Sequence, residues 1–107
     1  MMRFFLVSSL IILLGTPLAA NDISFGKKLA RKCSVCHGKV GLSKDPEVPN
    51  LAGLSNLYIE KTLIDYQTGA RNDRRMTLIA KGLTQQEIKD LAAWFSAIEV
   101  TATAPDV

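Results

Sequence analysis

The chain has 107 residues, with 13 Lys and Arg against 10 Asp and Glu, two cysteines and a single histidine. That length argues for one domain. The mild positive balance does not suggest a nucleic-acid binder, and two Cys with one His fall one ligand short of a tetrahedral zinc site unless a carboxylate joins them.

The first twenty residues read as a leader. Met1-Met2-Arg3 is positive, Phe4 to Leu14 is apolar apart from Ser8 and Ser9, and Gly15-Thr16-Pro17 breaks the run before the small residues Leu18-Ala19-Ala20. This order predicts a secretory signal peptide over residues 1–20, cleaved after about Ala20. The apolar run is short for a bilayer span of about 20 residues. Leu18 is a less usual residue than Ala three positions before the cut, so an uncleaved N-terminal anchor is the alternative. Cleavage there leaves 87 of the 107 residues and, with Arg3 gone, a formal charge of +2.

A first helix is expected from about Asp22 to Cys36, capped by Asp22 or Ser24. Ile23, Phe25, Leu29 and Ala30 supply its apolar positions. Gly26 costs such a helix about 1 kcal/mol. The helix ends in Cys33-Ser34-Val35-Cys36-His37, the C-x-x-C-H haem attachment sequence. Residues three and four apart share a helix face. Two thiols can therefore add to the two vinyl groups of one porphyrin while the histidine reaches its iron. A thioredoxin-like redox pair would need a βαβ context, and no strand-rich pattern is visible. In an oxidising compartment two lone cysteines normally pair; thioether bonds to haem account for both without a disulfide, so the leader and the motif both point to the periplasm.

Residues 38–55 read as a loop punctuated by Gly38, Gly41, Pro46, Pro49 and Gly53. A loop of this length in a small domain is usually functional or wrapped around something. A second helix is expected over 57–68, capped by Ser55 or Asn56 and stopped by Gly69. Tyr58, Ile59, Thr62, Leu63 and Tyr66 form its stripe, with Tyr58 in the core. Arg71, Arg74 and Arg75 precede Met76, the only methionine beyond the leader. Thr77 to Lys81 suit a short helical turn. Thr84-Gln85-Gln86-Glu87 is a capping box, followed by an amphipathic helix through Ile88, Leu91, Ala92, Phe95 and Ile98. Residues 99–107 read as a flexible C-terminal tail. There is no second C-x-x-C-H, which predicts one haem per chain, and a core of this size is marginal without the porphyrin as part of it.

The run Gly26 to Gly38 resembles the opening of class I c-type cytochromes. Val48-Pro49-Asn50-Leu51-Ala52-Gly53-Leu54, Tyr66-Gln67-Thr68-Gly69-Ala70-Arg71, Met76 and Asp90-Leu91-Ala92-Ala93-Trp94-Phe95 resemble the later blocks in the right order. The likeness covers nearly all of residues 22–98 and is greatest to one half of the dihaem periplasmic cytochromes c. It implies an all-α class I cytochrome c fold, three to four short helices around one covalently bound haem c, over a domain of residues 21–98. It implies thioether bonds at Cys33 and Cys36 and axial ligation of the iron by His37 and Met76. A neutral thioether ligand raises the reduction potential. It further implies a Pro49 carbonyl on the His37 imidazole, and close crossing of the C-terminal helix at Gly26, with Leu91 and Trp94 against Gly26 and Leu29 and Phe95 toward the haem. Tyr66 would pack at the haem edge or donate to a propionate. Arg71 would meet a propionate or face solvent.

The function so implied is not enzymatic: one-electron transfer between a protein donor and a protein acceptor by an exported monomer, with transient docking to membrane redox complexes and no nucleic acid. Lys27, Lys28, Arg31 and Lys32, with Arg71, Arg74 and Arg75, form either a solvated surface or a positive rim that steers an acidic partner. Two other readings stay open: a haem subunit of a larger dehydrogenase or oxidase, and a haem peroxidase or gas sensor with an open distal site.

Overall fold

The structure, a computed structural model, describes Gly15 and residues 20–107. The expected signal peptide therefore lies almost wholly outside the described residues. Among them no helix is long and apolar enough to cross a membrane.

Among the described residues five helices follow one another: α1 (Ile23–Leu29), α2 (Arg31–His37), α3 (Asn56–Thr68), α4 (Met76–Lys81) and α5 (Gln85–Ser96). The expected count of three to four is exceeded because the helix expected from Asp22 to Cys36 is two. At Ala30 the backbone stays right-handed (φ −59°, ψ −16°). Its carbonyl accepts the N–H groups of both Cys33 and Ser34 at 3.0 Å, so the regular four-residue pattern tightens there. Asp22 caps α1 through its side chain, Ser55 caps α3, and Gly69 stops α3 in the left-handed region at φ 83°. The capping box of α5 is complete. The Thr84 hydroxyl accepts from Glu87 N–H at 3.1 Å, and Glu87 Oε2 accepts from Thr84 N–H at 2.9 Å.

The frame is the crossing of α1 and α5, with α3 packed on the other side of α5. Gly26 makes the crossing possible: a Cβ there would stand 2.0 Å from the Asp90 carbonyl oxygen and 3.1 Å from Trp94 Cβ. Leu29, Ala30, Ile59, Leu91, Ala92 and Phe95 form the buried cluster, and Cys33 packs against it. Among the described helices α2 packs only on α1 and α4 only on α3, so both short helices are appendages of the frame.

Tyr58, expected in the core, and two of the apolar positions of the first helix are at the surface. Tyr58, Phe25 and Ile23 are 51%, 43% and 47% exposed, because α5 takes up only the Gly26–Leu29 side of α1 and the Ile59 side of α3. Residues 99–107 form no helix or strand, and Val100 lies against Gly53.

Candidate functional site

The C-x-x-C-H motif occupies the last turns of α2. Cys33 is half-buried against the core cluster and Cys36 is exposed. Burial pushes the Cys33 thiol pKa up, against the downward pull of the Lys32 charge. No disulfide joins the two. His37 closes the helix and is buried. The chain leaves it through Gly38, at φ 85°, where a Cβ would stand 2.0 Å from the Leu42 carbonyl oxygen. Only glycine allows this turn, and the turn sends the loop back across the helix end.

That loop carries Pro49 to the histidine. His37 Nδ1 lies 2.8 Å from the Pro49 carbonyl oxygen, as the resemblance implied. A carbonyl can only accept, so Nδ1 carries the proton and donates. The lone pair is left on Nε2, which is the arrangement of a metal-bound histidine with its outer hydrogen bond in place.

The loop is held by its own polar groups. Gly41 O accepts from Leu51 N–H at 2.7 Å and from Ala52 N–H at 3.1 Å. Asn50 Oδ1 accepts from Ser43 N–H at 2.7 Å, and the Asp45 carboxylate accepts from Glu47 N–H at 2.9 Å. The Ser43 hydroxyl donates to Cys36 O at 3.3 Å. Ser43, Asp45 and Asn50 thus brace the histidine side, and sequence reasoning missed them. The Asx and Ser side chains in 43–50 are the signal that marks such a self-bonded turn. Phe95, expected on the haem side, has its ring near Gly41, 3.1 Å from where a Cβ would stand, and so anchors the same loop to α5.

Met76 is the first residue of α4, one residue before the expected helical turn, and is half-buried. Its N–H, like that of Arg75, donates to Asp73 Oδ1 at 2.8 Å, and Thr77 Oγ1 accepts from Asp73 N–H at 3.1 Å. The Met76 and Arg75 N–H groups hold the Asp73 carboxyl below the usual carboxylate range. Tyr66, on α3, is half-buried and Arg71 is exposed; the Arg71 guanidinium lies over the Tyr66 ring, 5.1 Å from its centre. The fold therefore brings together Cys33, Cys36, His37 and Pro49 as one unit, and Tyr66 with Arg71 as another. A cleft of about 570 Å³, lined by Cys36, Val40, Leu42, Val48 and Arg75 among others, places the end of α2 and the residue before Met76 on one opening. A smaller hollow of about 390 Å³ lies within the loop from Ser43 to Asn50 and contains none of the candidate donors.

The polypeptide core suits a large apolar group. Four of its nine buried apolar residues are alanines (Ala30, Ala80, Ala92 and Ala93), and Ile88 is the one large side chain below 2% exposed among the described residues. Val40, Leu42, Leu57, Leu78 and Ile79 stand exposed on the loop, α3 and α4. A small domain with so little buried bulk needs another body to pack on. The donors are two thiols, an imidazole with Nε2 open and a thioether, which fit an iron porphyrin.

The family model for cytochrome c matches residues 23–98. Cytochrome c4 of Pseudomonas aeruginosa is 35% identical over 107 residues, covering 98% of this chain and 53% of the relative. Cytochrome c-554(548) of Halomonas halodenitrificans is 37% identical over 83 residues, 75% of this chain and all of the relative. The cytochrome subunit of sulfide dehydrogenase from Chlorobaculum tepidum is 40% identical over 72 residues, 67% of this chain and 64% of the relative. The crystal structure of reduced recombinant cytochrome c4 from Pseudomonas stutzeri superposes with a TM-score of 0.72 at 31% identity, over 81% of this chain and 50% of that one. The chain thus spans about half the length of the cytochrome c4 relatives it matches.

Proposed function

This chain belongs to the cytochrome c family, with the class I fold and covalently bound haem c, and from that premise we propose that it is an exported, single-haem electron carrier. Haem c supplies a one-electron ferrous–ferric couple. Cys33 and Cys36 would hold it by thioether bonds, and His37, through Nε2, and Met76 would be the ligands to its iron. The observation that carries this reading is the buried His37 with its Nδ1–H on the Pro49 carbonyl at 2.8 Å. This bond orients the ring and makes Nε2 the better donor. Two strong protein ligands kept in both oxidation states would leave little to rearrange on electron transfer.

Export rests on the leader-like residues 1–20, and periplasmic location on that together with the haem motif. One haem per chain rests on the single C-x-x-C-H. The exposed cations Arg71, Arg74 and Arg75 beside the Met76 segment would steer acidic redox proteins at low salt. Such encounters are small and transient.

The test is a redox titration of the purified holoprotein with optical spectra. A single one-electron wave is expected, together with a ferric sulfur-to-iron charge-transfer band that Met76→Ala abolishes. Rapid carbon monoxide binding by the unmutated ferrous protein would instead indicate an open distal site. The likeness to a sulfide dehydrogenase subunit favours a second reading, a haem subunit of a larger enzyme. Gel filtration of native periplasmic extract separates the two: a free carrier elutes near its own mass, a subunit with its enzyme.

A further inference from the structure

We propose that Gln67 is a positioning residue for the methionine side of the haem: its amide hangs the Met76 helix from α3 and sets how readily the sulfur leaves the iron. The proposal rests on the reading of Met76 as an axial ligand.

The segment from Asp73 to Leu83 touches the buried cluster through Leu83 at its far end, and has few other attachments. α4 has six residues, too few to be stable alone, and packs on α3 only. Its first turn is capped from within, by Asp73 on Arg75 and Met76 and by Thr77 on Asp73. These bonds shape the segment but attach it to nothing else.

Gln67, the penultimate residue of α3, makes the attachment. Its Nε2 donates to Ala80 O at 2.8 Å and to Leu83 O at 2.8 Å. Among the described residues it is the only one outside 73–83 that hydrogen-bonds into this segment. Two carbonyl oxygens can be met only by a donor, so the amide orientation is determined. Its Oε1 then faces α5 and accepts from Gln85 Nε2 at 3.1 Å. One amide thus joins α3, the end of α4 and the start of α5. Ala80 is fully buried, so its carbonyl has no easy recourse to water if the amide is lost. Release of α4 from α3 requires these bonds to break, and Met76 is the first residue of the body that would move.

The experiment uses the full holoprotein and the variants Gln67→Leu, Gln67→Glu and Ile88→Val. Gln67→Leu removes the donor. Gln67→Glu keeps the shape but turns a carboxylate toward two carbonyl oxygens. Ile88→Val lowers stability in the frame, away from α4. Ferric protein is mixed with imidazole, which binds iron only after the sulfur has left. Unfolding by guanidinium and the charge-transfer band are measured alongside. Both Gln67 variants should bind imidazole about tenfold faster, the factor expected for losing a net hydrogen bond of ordinary strength or somewhat more, while keeping the band before imidazole is added. Ile88→Val should lower the unfolding midpoint with imidazole binding unchanged within about twofold. An unchanged rate in the Gln67 variants, or one no faster than in Ile88→Val, overturns the role of Gln67 while leaving Met76 as ligand. If the unmutated protein lacks the band and Met76→Ala does not alter imidazole binding, the ligand reading fails and the proposal falls with it.

Discussion

The histidine and methionine sides of the molecule are held in different ways. His37 ends α2, which follows directly from α1, and α1 is locked against α5 at Gly26. Its imidazole is buried and bonded to Pro49, and the loop that brings Pro49 is tied to itself. Met76 starts a single short helix that rests on α3, capped by an exposed aspartate and, among the described residues, hydrogen-bonded to the rest of the chain by one glutamine. The first side is built into the frame. The second is hinged on it. Under the proposed ligation by His37 and Met76, such asymmetry would confine ligand exchange to one face, and would separate mutations that cost stability from mutations that cost ligation.

The largest effect is expected where the frame is tightest. Gly26→Val pushes a side chain into the Asp90 carbonyl and Trp94; the backbones cannot both yield, and the loss should be about 4 kcal/mol in guanidinium unfolding. A loss below about 1 kcal/mol would mean the crossing is not the rigid part. Ile88→Ala empties a fully buried position on α5 and should cost about 3 kcal/mol, again with imidazole binding little altered. A large acceleration there would show that both sides share one cooperative opening. Thr84→Ala removes half of the α5 capping box and should cost about 1 kcal/mol. It lies just past the Met76 segment, so it also tests whether fraying of α5 reaches α4 in hydrogen exchange. Asp73→Ala should change global unfolding least, since its carboxylate is exposed, while imidazole binding to the ferric protein still accelerates. If it instead shifts the unfolding midpoint as far as Ile88→Ala, the methionine side belongs to the frame.

Much of this was legible in the chain because it depends on neighbours within one helical turn. The spacing of Cys33, Cys36 and His37 sets them at the end of a helix. Thr84 and Glu87 form the cap they spell, and Gly69 stops α3. The break at Ala30 was not legible, since nothing in Leu29-Ala30-Arg31 disfavours a helix. Nor was the surface position of Tyr58, because a stripe drawn by three- and four-residue steps does not say which edge of it a neighbour will cover.

Asp90 shows where local reading ends. A carboxylate on an amphipathic helix is expected in water, yet this one is 2% exposed. It is satisfied by the Asp22 N–H at 2.8 Å, 68 residues away, and by the Gln86 amide at 3.0 Å. Gln67 is the same case at separations of 13 and 16 residues. By itself the sequence determined the haem-attachment spacing, the helix caps and the glycine stops, because turn and cap energies are spent within about four residues. Only the tertiary structure decided which polar side chains are buried and what they tie together. A buried polar group must find its partner wherever the fold has placed one, and no local rule names that partner.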